Sequence, residues 1–197
     1  MPGDKLRLKE LSSKYNAGQI PLREALSRLA ASGFVIAQDQ RGFRVVSISP
    51  EEIADITRVK ALMECEALTD SIKNGDVSWE SRIVETHYRL EHLPMLEEGG
   101  GELNVEWGKA HVDFHKALLA GCSSPLLLDY CSKLRDQTSR YRSLALKLND
   151  NTKRDIALEH QQLMQAAINR NSGEACKLLT EHFEKTTKDL LVNLKAE

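Results

Sequence analysis

From Pro50 to Leu194 apolar residues return every three or four positions, and the pattern breaks only at short turn-forming stretches. Those breaks are Asn74-Gly75, Gly99-Gly100-Gly101, Gly121 to Pro125, Asn149 to Asn151 and Gly173. They predict six helices, near 50–73, 78–97, 103–121, 124–148, 152–171 and 173–194. Six helices with connections this short bury their apolar stripes against one another, as an antiparallel bundle. The first opens on Ser49-Pro50-Glu51-Glu52. That is a capping hydroxyl, a proline where no N–H is needed, and acids at the positive end of the helix dipole.

Residues 1–49 follow a different pattern. Leu6, Leu8 and Leu11 predict a short helix ending near Tyr15, and Asn16-Ala17-Gly18 a turn. Pro21 suits a first helical position, and Leu22, Ala25, Leu26 and Leu29 give a stripe that Gly33 stops. Phe34-Val35-Ile36 and Phe43-Arg44-Val45-Val46 read as strands joined by a turn at Asp39-Gln40-Arg41-Gly42. Helix, tight turn, helix and β-hairpin is the layout of a winged helix-turn-helix. The expected fold is therefore mainly α, with a winged helix-turn-helix at 1–49 and a six-helix bundle at 50–197.

Charge divides at the same place. Residues 1–49 carry eight basic and four acidic side chains, a net +4; the rest carries nineteen and twenty-five, a net −6. A basic segment on an acidic body points to an anionic partner for the small part. No apolar run approaches a membrane span, and MPGDKLRLKE lacks the apolar core of a signal peptide. Cys65, Cys122, Cys131 and Cys176 have neither zinc-knuckle nor redox spacing, as expected of reduced thiols in a cytoplasmic protein.

The histidines carry the most specific chemistry. His87 and His92 lie five apart on a polar stretch and are expected at the surface. His111 and His115, four apart, stack on one helix face beside the stripe Leu103, Trp107, Ala110, Phe114 and Leu118. His160 falls within Ile156, Leu163, Met164, Ala167 and Ile168, and His182 within Ala175, Leu178, Leu179 and Thr186. Any one of these alone reads as a hydrogen-bonded core histidine. Four imidazoles sent inward from three helices would be costly without partners, and a shared divalent metal, zinc or nickel, satisfies them together. A zinc protease would need Glu after the first histidine, where Val112 stands, so no general base is apparent and an enzyme is not expected.

Other polar residues admit two readings. Arg135, Arg140 and Arg142 flank Tyr130 and Tyr141; an inward guanidinium would clamp a carboxylate, an outward one would be solvated surface. The i,i+4 pair Lys60 and Glu64 shares that ambiguity. On the second helix Gln19, Arg23 and Ser27 share the face opposite the leucines, with Arg28 beside them, as a recognition helix presents polar groups to the major groove. Lys9, and Arg41 with Gly42 in the wing, would meet phosphate.

The stretch PGDKLRLKELSSKYNAGQIPLREALSRLAASGFV, continued by the wing QRGFRV, resembles the winged-helix domain of the GntR family of bacterial transcription regulators. His111, Phe114-His115, Glu159-His160 and His182 make the helical part similar to the FCD-type effector domain of the FadR subfamily. The resemblance implies a dimeric DNA-binding regulator, often a repressor, whose bundle takes a small carboxylate, commonly with a metal. His111 and Arg140-Tyr141-Arg142 make it similar to regulators of glutarate and related dicarboxylate catabolism. The family usually has Asp where His111 stands, Ser-Arg-Thr where Gly18-Gln19-Ile20 stands, and an arginine where Lys60 stands. Its winged helix begins with a further helix of roughly ten to twenty residues before Pro2, so the N-terminal domain is expected to be incomplete. The leading expectation is an operator-binding regulator sensing a small carboxylate. The alternative is a helical-bundle metalloprotein, or a sensor of the metal itself.

Overall fold

The computed structural model describes residues 3–38, 42–47, 49–99, 102–147 and 154–194, without the side chains of 140–147 and 193–194. The chain divides into two compact units, Met1–Ile53 and Ala54–Glu197. No helix among the described residues is long and apolar enough to cross a membrane.

In the first unit, strand β1 (Lys5–Leu6) precedes helices α1 (Leu8–Tyr15) and α2 (Gln19–Ala31), then strands β2 (Val35–Gln38) and β3 (Gly42–Val45). The sheet order is β1-β3-β2, antiparallel throughout, with Val35 opposite Val45 and Gln38 opposite Gly42. Leu26, Val35 and Phe43 form its small core, with Leu6, Leu8, Leu11 and Phe34 packed around them. Two details differ from the sequence reading, and the end of α1 agrees with it. Leu6 belongs to a strand, because its backbone pairs with Phe43; two residues carry too little periodicity to announce that pairing. Pro21 is the third residue of α2, whose cap is Gly18; the first turn lacks intrahelical N–H bonds at all of these positions, so proline is tolerated there too. Asn16 closes α1 in the left-handed conformation (φ 47°), and Ala17 N donates to the Ser12 carbonyl.

The second unit holds α3 (Pro50–Asn74, whose first residues lie before the boundary), α4 (Val77–Glu91), α5 (Val105–Leu119), α6 (Pro125–Lys147), α7 (Ile156–Ile168) and α8 (Ser172–Leu194). Side-chain caps set their starting points. Asp76 accepts from Trp79 N, Asn104 from Glu106 N and Trp107 N, and Asp155 from Leu158 N. Helix α4 stops at Glu91 rather than near 97, because the chain turns out after His92 and Leu96 bridges Leu103. Helices α4 and α5 pack together, as do α7 and α8, α6 and α8, and α4 and α7. Leu68, Ile83, Phe114, Leu118, Leu163 and Leu179 fill the core between them. Gly75 and Gly121 permit the tightest approach. A Cβ on Gly121 would lie 2.7 Å from the Ser71 carbonyl, and one on Gly75 would enter the Trp79 ring. Both positions were legible as breaks; that the two breaks touch was not.

Candidate functional site

Two places carry the candidate chemistry, one in each unit. On α2, Gln19, Arg23 and Ser27 recur every fourth residue and are exposed, and Arg28 is exposed beside them. Leu26 turns the opposite way into the core. Lys9 is exposed on α1. Gly42 opens β3 with a left-handed φ of 86°, which a side chain would strain. Arg41 lies outside the described residues.

In the second unit the four histidines converge. One nitrogen from each of His111, His115, His160 and His182 lies within 4.8 Å of the other three, and all four residues are buried. Ring centroids of His111 and His115 are 4.5 Å apart, as the i,i+4 stack on α5 requires; His160 from α7 and His182 from α8 close the set at 4.8 Å. Trp107 and Phe114 wall the cluster, at 5.0 Å from His111 and 5.4 Å from His160. Neither ring nitrogen of His115, nor Nε2 of His160, has a hydrogen-bond partner among the described residues. Burial lowers the pKa of His115 and His160 well below the usual imidazole value and pulls His182 down to about 4. These three rings are therefore neutral at ordinary pH, the state in which imidazole ligates a metal.

A carboxylate orients one of them. Glu159 Oε2 accepts from His182 Nδ1 at 2.8 Å, which leaves Nε2 of that ring facing the cluster as a lone pair. Arg154 holds Glu159 through two hydrogen bonds of 2.9 and 2.7 Å, and reaches Asp189 and the His182 carbonyl as well. Burial opposes the charge on Glu159, but the bonds from Arg154 and His182 outweigh it and hold its carboxyl well below the usual range. Beside the cluster a cavity of about 440 Å³ is bounded by His87, Met95, Trp107, Arg154, Ile156 and His160.

The other side of the cluster is cationic. Lys60, Glu64 and Arg135 are 5%, 1% and 5% exposed. Glu64 Oε1 lies 3.5 Å from Lys60 Nζ and 3.4 Å from Arg135 Nη2, so one carboxylate faces two cations. Lys60 Nζ also sits 2.9 Å from the centre of the Phe183 ring, which in turn lies 5.9 Å from His115. Arg140 and Arg142 continue along α6, but their side chains lie outside the described residues.

Residues 1–45 match the family model described as bacterial regulatory proteins, gntR family, and residues 55–185 match the FCD domain. The regulator BphR of Paraburkholderia xenovorans, of the HTH type, is 35% identical over 185 residues, covering 93% of this chain and 75% of that protein. The chain belongs to the GntR family. It is a transcription regulator of the kind that binds operator DNA, not an enzyme. The HTH-type transcriptional repressor GlaR of Escherichia coli K12 is also 35% identical over 185 residues, 92% of this chain and 84% of that one. Among solved structures, E. coli McbR/YncC shares the fold with a TM-score of 0.75 at 19% identity, over 96% of this chain and 88% of that one.

The structure of this GntR regulator corrects the reading of His87, which is buried rather than at the surface. Its ring meets Phe114 edge-on at 5.6 Å because α5 covers that face of α4. Sequence reasoning left Arg135 and Glu64 between two readings, gave Glu159 a place only in the family resemblance, and gave Arg154 no role. Arg135 had one usable signal: it lies four residues after the fully buried Cys131 and shares its face. Arg154 had none, since its partners are on α7 and α8. Replacing Glu64 by Ala removes the carboxylate that Lys60 and Arg135 share, and is expected to cost about 3–5 kcal/mol of stability. Urea unfolding of the two proteins measures it; a loss below about 1 kcal/mol would mean both cations reach water.

Proposed function

We propose that this regulator is a homodimeric, cytoplasmic repressor that grips a double-stranded operator through Gln19, Arg23, Ser27 and Arg28, with Lys9, Arg41 and Gly42 at the phosphates. We propose further that a small carboxylate effector, bound in the helical unit beside a divalent metal, zinc or nickel, modulates that grip. The observation that carries the reading is the set of four buried imidazoles whose nitrogens lie within 4.8 Å of one another, with the His115 ring unpartnered at both nitrogens among the described residues. Hydrogen-bonded core histidines would have partners; metal ligands would lack them. His111, His115, His160 and His182 would hold the cation, and Glu159 would fix the ring of His182. When bound, the metal supplies an electrophilic centre to which a carboxylate oxygen coordinates, undiminished by any anionic ligand from the protein. Lys60 and Arg135, which both face Glu64, supply further positive potential for the anion, and Arg140 and Arg142 stand farther along the helix of Arg135. The name of GlaR, a repressor, supports the sign of regulation.

A second reading is favoured by the same set. Four nitrogen donors complete a tetrahedral shell by themselves, which suits a metal sensor or a structural metal with no organic ligand. One experiment separates the two. Mono- and dicarboxylates up to about the size of glutarate are screened by thermal shift with and without added zinc, and active compounds are then tested for release of operator DNA. A tenfold release needs about 1.4 kcal/mol of difference in ligand affinity between the two states. His160→Ala should still bind operator but lose that response. If the variant lets go of DNA at the same ligand concentration, the effector site lies elsewhere; if metal alone releases the operator, the sensor reading stands.

A further inference from the structure

Two of the four cysteines face each other across α3 and α8, away from the histidine cluster. Cys65 Sγ lies 3.4 Å from the Cys176 carbonyl oxygen, and Cys176 Sγ lies 3.4 Å from the Cys65 carbonyl oxygen. Each sulfur thus lies against the backbone of the other residue, which sets the two side chains side by side between the helices. Thr180 Oγ1 lies 3.5 Å from Cys65 Sγ, and Thr69 Oγ1 lies 3.4 Å from Cys176 Sγ. Cys65 lines a groove of about 880 Å³ between the two helices, together with Thr69 and Thr180. Both residues are half-buried, whereas Cys122 and Cys131 are buried.

We propose that Cys65 and Cys176 form a peroxide-responsive thiol pair that closes to an intramolecular disulfide joining α3 to α8. The two members have different tasks. Interaction between the two thiols lowers the pKa of Cys176 and raises that of Cys65, with Thr69 adding to the first effect and burial to the second. Thr69 Oγ1 can donate to Cys176 Sγ, whereas the Thr180 hydroxyl beside Cys65 gives its proton to the Cys176 carbonyl oxygen, so Cys176 is the thiolate and Cys65 the resolving thiol. The Cys176 thiolate attacks hydrogen peroxide: an S–O bond forms, the O–O bond breaks and hydroxide leaves. The Cys65 sulfur then attacks the sulfenic acid: the S–S bond forms, the S–O bond breaks, and the thiol proton and the hydroxyl leave as water. The sulfurs lose two electrons in all, and the peroxide takes them. Burial raises the Cys131 thiol to about 11 and also raises Cys122, which leaves both unreactive.

The test uses the full chain, reduced and then treated with a small molar excess of hydrogen peroxide. A peptide map without reductant should show one dominant linked product, Cys65 to Cys176, reversed by dithiothreitol. Cys122 and Cys131 should remain free for alkylation after unfolding. The oxidised protein should melt at a higher temperature than the reduced one, since the bridge closes a loop across 111 residues. In Cys65→Ser the Cys176 sulfenic acid should accumulate and be trapped by dimedone; in Cys176→Ser no dimedone adduct should appear. A native protein that gives no 65–176 link, links two chains instead, or oxidises Cys122 or Cys131 as fast, overturns the proposal. That measurement on the native chain stands whether or not the serine variants fold.

Discussion

Stripping divalent metal from the protein with a chelator is expected to lower its unfolding midpoint by on the order of ten degrees. A ligand that binds only the folded state stabilises it by about 4 kcal/mol at a thousandfold excess over its dissociation constant. In a domain of this size that corresponds to a shift of this order. The effect should be large because the alternative is an interior holding four imidazoles with two unpartnered nitrogens on His115 alone. Added zinc should restore the midpoint, and metal analysis of protein prepared without a histidine tag should find about one ion per chain. His115→Ala should lose both the metal and the response to chelator. Loosening the His182 ring by Glu159→Gln should be milder, since the ring remains but is less firmly oriented. A protein that comes out free of metal, and whose melting ignores both chelator and zinc, would show that the cluster is only a core packed with histidine.

Arg23→Ala should weaken specific operator binding by about 1–3 kcal/mol for each half-site, the worth of one good bidentate contact to a base. In a dimer the two losses combine, so specific binding should fall towards the level of binding to random DNA. Lys9→Ala, by contrast, should weaken specific and random DNA alike and make the salt dependence shallower, because a phosphate contact carries no sequence information. Arg23 is exposed on α2 and the helical unit begins beyond it, so the unfolding of that unit should not change. Electrophoretic mobility shifts at several salt concentrations measure both variants. Unchanged operator affinity in Arg23→Ala would mean that a different face of the first unit reads the bases.

Part of this protein could be read from residue order alone, and the reason is periodicity. A helix brings residues three and four apart onto one face, so the stripes of α3 to α8 and the stacked pair His111 and His115 follow from spacing. Capping is equally local: Ser49 before Pro50 marks a start because its side chain bonds to an N–H three residues on. The breaks at Asn74-Gly75 and Gly121 are local for the same reason. That His160 and His182 face inward was legible from their stripes, but that they meet the α5 pair was an inference from the cost of burying four rings separately.

The rest was decided by which surfaces the fold brings together. His87 sits on a polar stretch and is buried only because α5 lies against it. Leu6 is a strand residue only because β3 runs beside it. Arg135 meets Glu64 71 residues away, Arg154 meets Asp189 35 residues away, and Cys65 meets Cys176 at a separation of 111. None of these pairs has a repeating interval to betray it. A local pattern records what one element needs from its own backbone geometry. The charge that neutralises a buried arginine, or the thiol that faces another, depends on helix crossings, and those are settled by the packing of the whole core.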